Sequence, residues 1–491
     1  MQQVEPQGAT FLYIESDERY AHGTFIWLYE PGEASGAQIN RESLIRHVKS
    51  RLEITHVLYQ RLARVPWDLD YPYWVDAESF DLNDHVHESK LPKPGSWQQF
   101  CQVVAEVHSV PLDLEKPLWE MHLIRGLDVD WLPKGAFAIL TKAHHVAIDG
   151  ATGMAIIRGL HDLQPFSIAD EVDAQQSFTS ERAPGFLGML GAAAVNNLSY
   201  SIKSVKAAAG LVGRLPRILT SVRLATLFSG DGAPHTPFNQ DVSAVRRVGL
   251  RFFELQDITK IRYAVPGATV NDVFLTICAG ALRRFLESHG ELPENSMVAG
   301  CPINVRTDDE SESGGNRISA MTTLIHTNIA DPLERLKAIQ RSTTRSKTVV
   351  DAIGAREMLE LNNNLPSALQ SISFAVAQNL PDLIDLRQMF NCPISNLPGP
   401  QEPLYLGRAK MLQIGCAMPV MNGFGLFIGI CTYDGKLCFT ISSADNIIPE
   451  PEQLMRQFDH AVAELRRAAG LVKPTIRTGK RHKKKKRVAS N

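Results

Sequence analysis

A mixed α/β protein of two units is the fold that this sequence predicts, on three observations. Apolar and polar residues alternate over short segments bounded by turn residues, the period-two signature of strands. Other segments repeat apolar residues every three or four positions behind recognisable caps, as helices do. Between about residues 166 and 240 the composition changes abruptly. That break divides a chain of 491 residues, too long for one ordinary core, into two.

Residues 1–165 make the first unit, with strand-like runs at Gly23–Glu30 and Gly135–His145 and a helical run at Asn40–Arg64. Residues 166–240 read as a crossover linker: acidic and polar to 182, then rich in Ala, Gly, Leu and Ser. Between Gly185 and Phe228 stand five cations (Lys203, Lys206, Arg214, Arg217, Arg223) and no acid. Leu198, Ile202 and Val205 recur there at helical spacing, which predicts one or two amphipathic helices, packed on the body as a crossover or lying at a membrane or oil-droplet surface. The second unit, 241–470, begins with the strand-like Val248–Phe253 and continues into a helix from Val270 to Glu287. Thr269 and Asp272 form its capping box, Val270, Phe274, Ile277, Leu282 and Phe285 its inward face, and Asn271 falls in its first turn. Leu426–Tyr433 and Lys436–Ser442 read as strands joined by the hairpin signal Asp434-Gly435.

Residues 471–491 read as a disordered polybasic tail. Residues 473–491 hold nine Lys/Arg and no acid, so the rest of the chain carries −11 against −2 for the whole. Such a tail attracts polyanions, an anionic lipid surface or nucleic acid. The acidic body, and a tail without interleaved aromatics, argue against a nucleic-acid protein. A hydrophobic content of 44% suits two packed cores. Seven scattered cysteines without a CxxC indicate neither a disulfide framework nor a zinc knuckle and suit a reducing cytoplasm. The N-terminus has no basic start followed by an apolar run, and no apolar stretch of about 18 residues occurs, so neither secretion nor a transmembrane helix is expected.

The most informative residues are His144-His145-Val146-Ala147-Ile148-Asp149-Gly150. They end an alternating segment with a base, a carboxylate and a turn. As a strand, Phe137, Ile139, Thr141, Ala143 and His145 share one face, while Lys142 and His144 point the other way. Among small and apolar neighbours the His145 imidazole is expected to stay neutral and able to take a proton. His144, Asp149 and Gly150 belong with His145 to the catalytic set, His144 read as structural with a direct role as the alternative, Asp149 as an organiser of the corner rather than a nucleophile, Gly150 as a site of close backbone approach, and Thr152 as the cap of the following helix, whose apolar face is Met154, Ile157 and Leu160. Two opposed histidines make poor partners for one metal ion, and no metal or redox cofactor is expected. No G-x-S-x-G elbow is present. Gly423-Phe424-Gly425-Leu426-Phe427-Ile428-Gly429 is one residue off a dinucleotide fingerprint but lies in a strand pattern, and reads as sheet packing. Trp119 reads as a core anchor.

The HHxxxDG pattern resembles that of the wax ester synthase/bacterial diacylglycerol acyltransferase family, within the superfamily of CoA-dependent acyltransferases and peptide-synthetase condensation domains. Other segments match in order along most of the chain. Pro117-Leu118-Trp119-Glu120, preceded by Pro111-Leu112-Asp113, resembles the family's PLW segment, Asn271-Asp272 its ND motif, and Ser395-Asn396-Leu397-Pro398-Gly399-Pro400 its SNxPGP loop. Pro302-Ile303-Asn304-Val305-Arg306 with Gly315-Asn316 resembles another shared segment, with Asn304 where the family often has Ser. Ala21-His22-Gly23 matches only part of the family's PMHxG.

The resemblance implies two chloramphenicol-acetyltransferase-like halves with the catalytic histidine facing a tunnel between them. It also implies an acyl-CoA-dependent O-acyltransferase whose second motif histidine, His145, is the general base in a ternary complex. Acceptors would be diacylglycerol, a long-chain alcohol or both. Related members acylating other hydroxyls or amines, and a silent lipid-surface protein, are the alternatives. Arg306 is the expected partner of Asp149, because superfamily relatives pair this Asp with an Arg, and Asn271 is a candidate donor to the oxyanion. CoA enters as part of the donor. The expected location is cytoplasmic, peripheral to a membrane or lipid inclusion through residues 185–228 and the tail.

Overall fold

The computed structural model describes residues 2–32, 39–78, 80–148, 150–166, 168, 185–212, 232–304, 318–353, 367 and 389–472. The strands among them are β1 (Gln2–Gln3), β2 (His22–Tyr29), β3 (Gln60–Ala63), β4 (Tyr73–Asp76), β5 (Val86–Lys90), β6 (Trp119–Arg125), β7 (Phe137–His144), β8 (Arg246–Glu254), β9 (Val298–Asn304), β10 (Ile318–Leu324), β11 (Cys392–Pro398), β12 (Tyr405–Leu406), β13 (Ala409–Ala417), β14 (Leu426–Tyr433) and β15 (Lys436–Ala444). They form a small sheet β1-β4-β3 and two six-stranded sheets, β12-β13-β2-β7-β6-β5 and β10-β9-β11-β14-β15-β8. Helices cover the sheets, so the architecture is mixed α/β.

Each large sheet is built on a strand buried along its whole length, β7 in the first and β14 in the second. Burial on both faces is why β7 reads Phe-Ala-Ile-Leu before its first polar residue and β14 reads Leu-Phe-Ile-Gly-Ile-Cys. Glycines let the two sheets meet. A side chain at Gly429 of β14 would come within 2.7 Å of Cys416 Sγ and 2.9 Å of Cys416 O on β13, and one at Gly415 within 2.6 Å of Leu250 on β8. The Gly-rich 423–429 segment is therefore strand packing.

Two expectations change. The run Asn40–Arg64 is not one helix: Asn40 and Ser43 cap a helix of Arg41–Ser50, and short 3-10 turns follow at Leu52–Ile54 and His56–Leu58. The helix ends at Arg51, whose φ of −116° and ψ of 9° leave the helical region, Thr55 is extended and accepts the Val57 N–H, and Gln60–Ala63 instead pairs with β4. The helix after the histidine pair is Gly150–Gly159, so Thr152 lies inside it rather than capping it. The second half of the chain is also not confined to the second sheet. Tyr405–Ala417 crosses back as β12 and β13, and β13 pairs antiparallel with β2, Gly415 opposite Ile26 and Ala417 opposite Thr24.

The Val270–His289 helix begins with the expected reciprocal capping box of Thr269 and Asp272. Buried Asp272 does more than cap, since its other oxygen accepts from Thr343 Oγ1 at 2.7 Å and ties this helix to the Pro332–Ile353 helix. The expected helix in the linker is present as Phe186–Val212, and the remainder of the predicted helical stretch lies outside the described residues.

Candidate active site

β7 ends at His144, and His145 opens a turn instead of continuing the strand. The turn is tied down on every side. His145 N donates to Ala21 O at 2.8 Å, His144 N to Leu118 O at 3.0 Å, and the Ala147 and Ile148 N–H groups both donate to His144 O. Leu118 belongs to the Pro-Leu-Trp segment, which therefore braces the strand end directly. Trp119 beside it is buried, donates to Leu58 O at 3.0 Å and stacks on His85, as expected of a core anchor.

His144 is buried, and its Nδ1 accepts the Val146 N–H at 3.0 Å. That commits the lone pair of Nδ1 and leaves the ring proton on Nε2. Nε2 faces Glu15 Oε1 at 3.1 Å, and the same oxygen accepts the Ala21 N–H at 2.8 Å. Glu15, His144 and Ala21 thus hold the turn and the start of β2 in register, as the direct pairing of His22 with His144 also does.

His145 stacks on Phe11 of the N-terminal helix, ring centroids 4.8 Å apart. A methyl group built on Gly23 would lie 3.8 Å from His145 Nε2 and 3.7 Å from both Met418 Sδ and Ala417 O. Nε2 therefore points to the seam where β13 leaves the first sheet, and there Met418 N donates to Ser442 Oγ of the second sheet at 2.9 Å. Gly23 keeps this corner open.

Behind the turn lies a cluster of buried, neutral histidines. Burial pushes the His108 imidazole down to about 3 and lowers that of His22 well below its ordinary value. His108 Nδ1 accepts from Thr24 Oγ1, and its Nε2 faces Met418 O at 3.3 Å. His22 Nε2 donates to His108 O at 2.9 Å. Glu15, Phe11, His108 and Met418 escaped the sequence reading because they are far apart in the chain and belong to no motif.

Lys142 is 1% exposed, an unusual place for an ammonium group, and it is fully engaged. It pairs with Glu120 Oε2 at 2.9 Å and donates to Val107 O in the last turn of the Trp97–His108 helix and to Val110 O just after it. Burial opposes charge on Glu120, but His122 and Lys142 outweigh it and hold the carboxyl at about 2. His87, Glu120 and His122 each bring one ligand atom within 4.8 Å of the others at the sheet edge. Glu120 is committed there as the counterion of Lys142, so the group reads as an ion-pair network bracing the strand that carries the histidines.

Gly150 begins the helix after the turn. Asp149 and Arg306 lie outside the described residues. Asn271 is half-buried at the second residue of its helix, in the layer over the second sheet. Among the described residues no helix is long and apolar enough to cross a membrane.

The model of the wax ester synthase/diacylglycerol acyltransferase catalytic domain matches residues 4–274, and that of the family's C-terminal domain residues 314–466. The chain belongs to this family. Its members include a protein named as a diacylglycerol O-acyltransferase in Mycobacterium tuberculosis, 31% identical over 479 residues that cover 95% of this chain and all of the relative. The O-acyltransferase WSD of Acinetobacter baylyi is 28% identical, covering 94% of this chain and 96% of that protein. The structure of the wax ester synthase/diacylglycerol acyltransferase from Marinobacter aquaeolei VT8 superposes with a TM-score of 0.68 at 25% identity, over 96% of this chain and all of that one. The first condensation domain of the CDA synthetase shares the fold, with a TM-score of 0.56 at 12% identity. As a member of the wax ester synthase/diacylglycerol acyltransferase family the chain is an acyltransferase, and the histidine pair of its HHxxxDG segment lies at the end of β7.

Proposed function

We propose that this acyltransferase moves a long acyl chain from acyl-CoA to the hydroxyl of diacylglycerol, forming triacylglycerol, or of a long-chain alcohol, forming a wax ester. The observation that carries the reading is His145: it is held by its own backbone and stacks on Phe11, with Nε2 beside Gly23, which carries no side chain to cover it. His145 takes the hydroxyl proton as the oxygen attacks the thioester carbonyl. The tetrahedral adduct then expels CoA as thiolate, and His145 returns the proton to that sulfur. One base thus serves both steps and no acyl-enzyme is formed. Six of the seven cysteines are buried, and burial pushes the thiol of Cys301 up to about 12, which suits an inert core residue and not a nucleophile.

Asn271 and the first turn of its helix would stabilise the oxyanion from the second half, and Asp149 with Arg306 would organise the turn from the other side. No cofactor enters the scheme, since CoA arrives with the acyl group. On this reading the enzyme works in the cytoplasm at the surface of a membrane or lipid inclusion, where its apolar substrates would lie and the polybasic tail would add attraction to anionic headgroups.

The test is release of free CoA thiol from palmitoyl-CoA by the parent protein and His145→Ala, offered dioleoylglycerol, hexadecanol or neither, with the lipid products separated. Release that needs an acceptor and vanishes in the variant supports the scheme and ranks the acceptors. Release indifferent to both acceptors, or equal in the variant, removes it.

A further inference from the structure

The Phe186–Val212 helix is built inside out. Along its first four turns Met189 and Ala193 pack on Ala63, Val65 and Val75, and the polar residues also face the body. Asn196 Nδ2 donates to Asp70 Oδ2 at 2.7 Å, Asn197 Nδ2 to Leu69 O at 2.7 Å, and Tyr200 OH to Gln3 Oε1 at 3.2 Å. The solvent side holds Leu187, Gly191, Ala194, Val195 and Leu198, at the i, i+4, i+7, i+8, i+11 spacing of a single face, without one polar group. Leu187, Val195 and Leu198 are 81%, 69% and 66% exposed.

Beside this face, Trp67 is 76% exposed and touches Phe186, with ring centroids 5.9 Å apart. Its turn is strained outward: Trp67 and Asp68 have φ of +56° and +51°, a region that favours glycine, and Arg64 clamps Asp68 with two hydrogen bonds. A surface helix ordinarily turns its apolar residues in and its polar residues out. Here the sequence does the reverse and spends backbone strain to add an aromatic to the exposed side.

We propose that this outer face, with Trp67 at its edge, inserts into a lipid surface and so delivers the membrane-borne acceptor. The proposal deepens the acyltransferase reading above and rests on it for the acceptor. A lipid surface fits better than a protein partner for two reasons. The face offers no polar group to fix an orientation, whereas protein interfaces carry a polar rim and many hydrogen bonds. Residues 185–228 also contain five cations and no acid, the composition that complements anionic headgroups, in a chain whose residues 1–472 are otherwise net acidic. Tryptophan suits the edge of such a face because its ring is apolar while its N–H can stay in the headgroup layer. The face is also joined to the site. Asp68 O accepts from Ser367 Oγ, Ser367 Oγ bonds Tyr13 OH at 2.7 Å, and Tyr13 ends the helix whose Phe11 stacks on His145.

The experiment compares the full chain, the triple variant Leu187→Ser/Val195→Ser/Leu198→Ser, Trp67→Ala, and a deletion of residues 473–491. Each is sedimented with vesicles of equal parts phosphatidylcholine and phosphatidylglycerol at low and high salt. The triple variant is expected to bind about tenfold more weakly or worse at either salt, and Trp67→Ala in the same direction by less. The tail deletion should lose only the salt-sensitive part. Transfer to vesicle-borne dioleoylglycerol should fall with binding, while transfer to a short water-soluble alcohol stays at the parent level. Unchanged binding of the triple variant, or complete loss on deleting the tail alone, overturns the proposal. So does a change of oligomeric state in the triple variant, which would make a second copy the occupant. If the parent transfers to neither acceptor, the acyltransferase reading fails while vesicle binding still decides the face.

Discussion

β7 and β14 are the same kind of strand put to different uses. Both are eight residues long, central in a six-stranded sheet and buried throughout. β14 carries only apolar residues, a glycine, a thiol, Thr432 and a tyrosine, and its neighbours hold more buried thiols at Cys392 and Cys438. β7 instead ends in Thr-Lys-Ala-His, and around it lie His22, His108, Glu120 and Glu15. Buried charge and buried imidazole cost free energy unless partnered. Four such groups, His22, His108, Lys142 and His144, gather at this strand end, while others lie elsewhere in the first half, at His47, His85, His161 and Asp70, or with the second sheet, at Arg246, Asp272 and Arg335.

The largest effect expected to sharpen this contrast comes from His145→Ala. Acceptor-dependent thiol release should fall by roughly 10²–10⁴ while the urea unfolding midpoint stays with the parent. Equal loss of stability would make His145 one more structural group of the cluster. Lys142→Met comes next: it leaves Glu120 ionised beside no ammonium, and a loss of about 3 kcal/mol is expected in urea unfolding. Adding Glu120→Gln should recover most of it, and a double variant no better than the single would separate the two residues.

Acidification should act on the first sheet before the second. His108 and His161 are held near 3 by burial, and His22 is lowered in the same way. In the unfolded chain these rings take protons below about 6.5. Their folded pKa values are depressed, so stability is full above that pH and is lost as pH falls from about 6.5 toward 3, by about 1.4 kcal/mol per pH unit for each ring. Glu120 acts in the same direction at lower pH, between about 4.3 and the value of about 2 that it has in the folded state. Hydrogen exchange at pH 5 and pH 7 should show protection falling first in β2 and β7, and His108→Asn should flatten the slope. Equal loss in β14 and β15 would contradict the comparison.

The smallest effects separate two glycines. Gly429→Ala drives a methyl group into Cys416 O and should cost about 1–3 kcal/mol with unchanged kinetics per folded molecule. Gly23→Ala meets only contacts of 3.7 Å or more and should be near neutral in stability, whereas Gly23→Leu should raise KM for the acyl donor or acceptor by filling the corner beside His145.

Much of this was legible beforehand for a physical reason. Strands buried on both faces or on one, and capped helices, write their periodicity into contiguous residues. Hence β7, β8, β14, β15 and the Thr269–Asp272 capping box could be read from the chain, as could the turn that carries the histidines. The Asn40–Arg64 run misled because helical spacing over the run says nothing about the break at Arg51, where the helix ends. His145 was assigned to the strand because one residue more or less leaves the pattern intact.

The sequence by itself determined the fold class and the family, both of which show in short contiguous segments of the chain. Only the tertiary structure decided what depends on distance in the chain: that β13 returns from the second half to pair with β2, that Glu15 and Phe11 hold the two histidines, that Lys142 is neutralised by Glu120, and that the linker helix turns its apolar face outward. A period states that a helix has two faces. Which one meets the body is settled by Asp70, Leu69 and Gln3, the partners its polar residues find there.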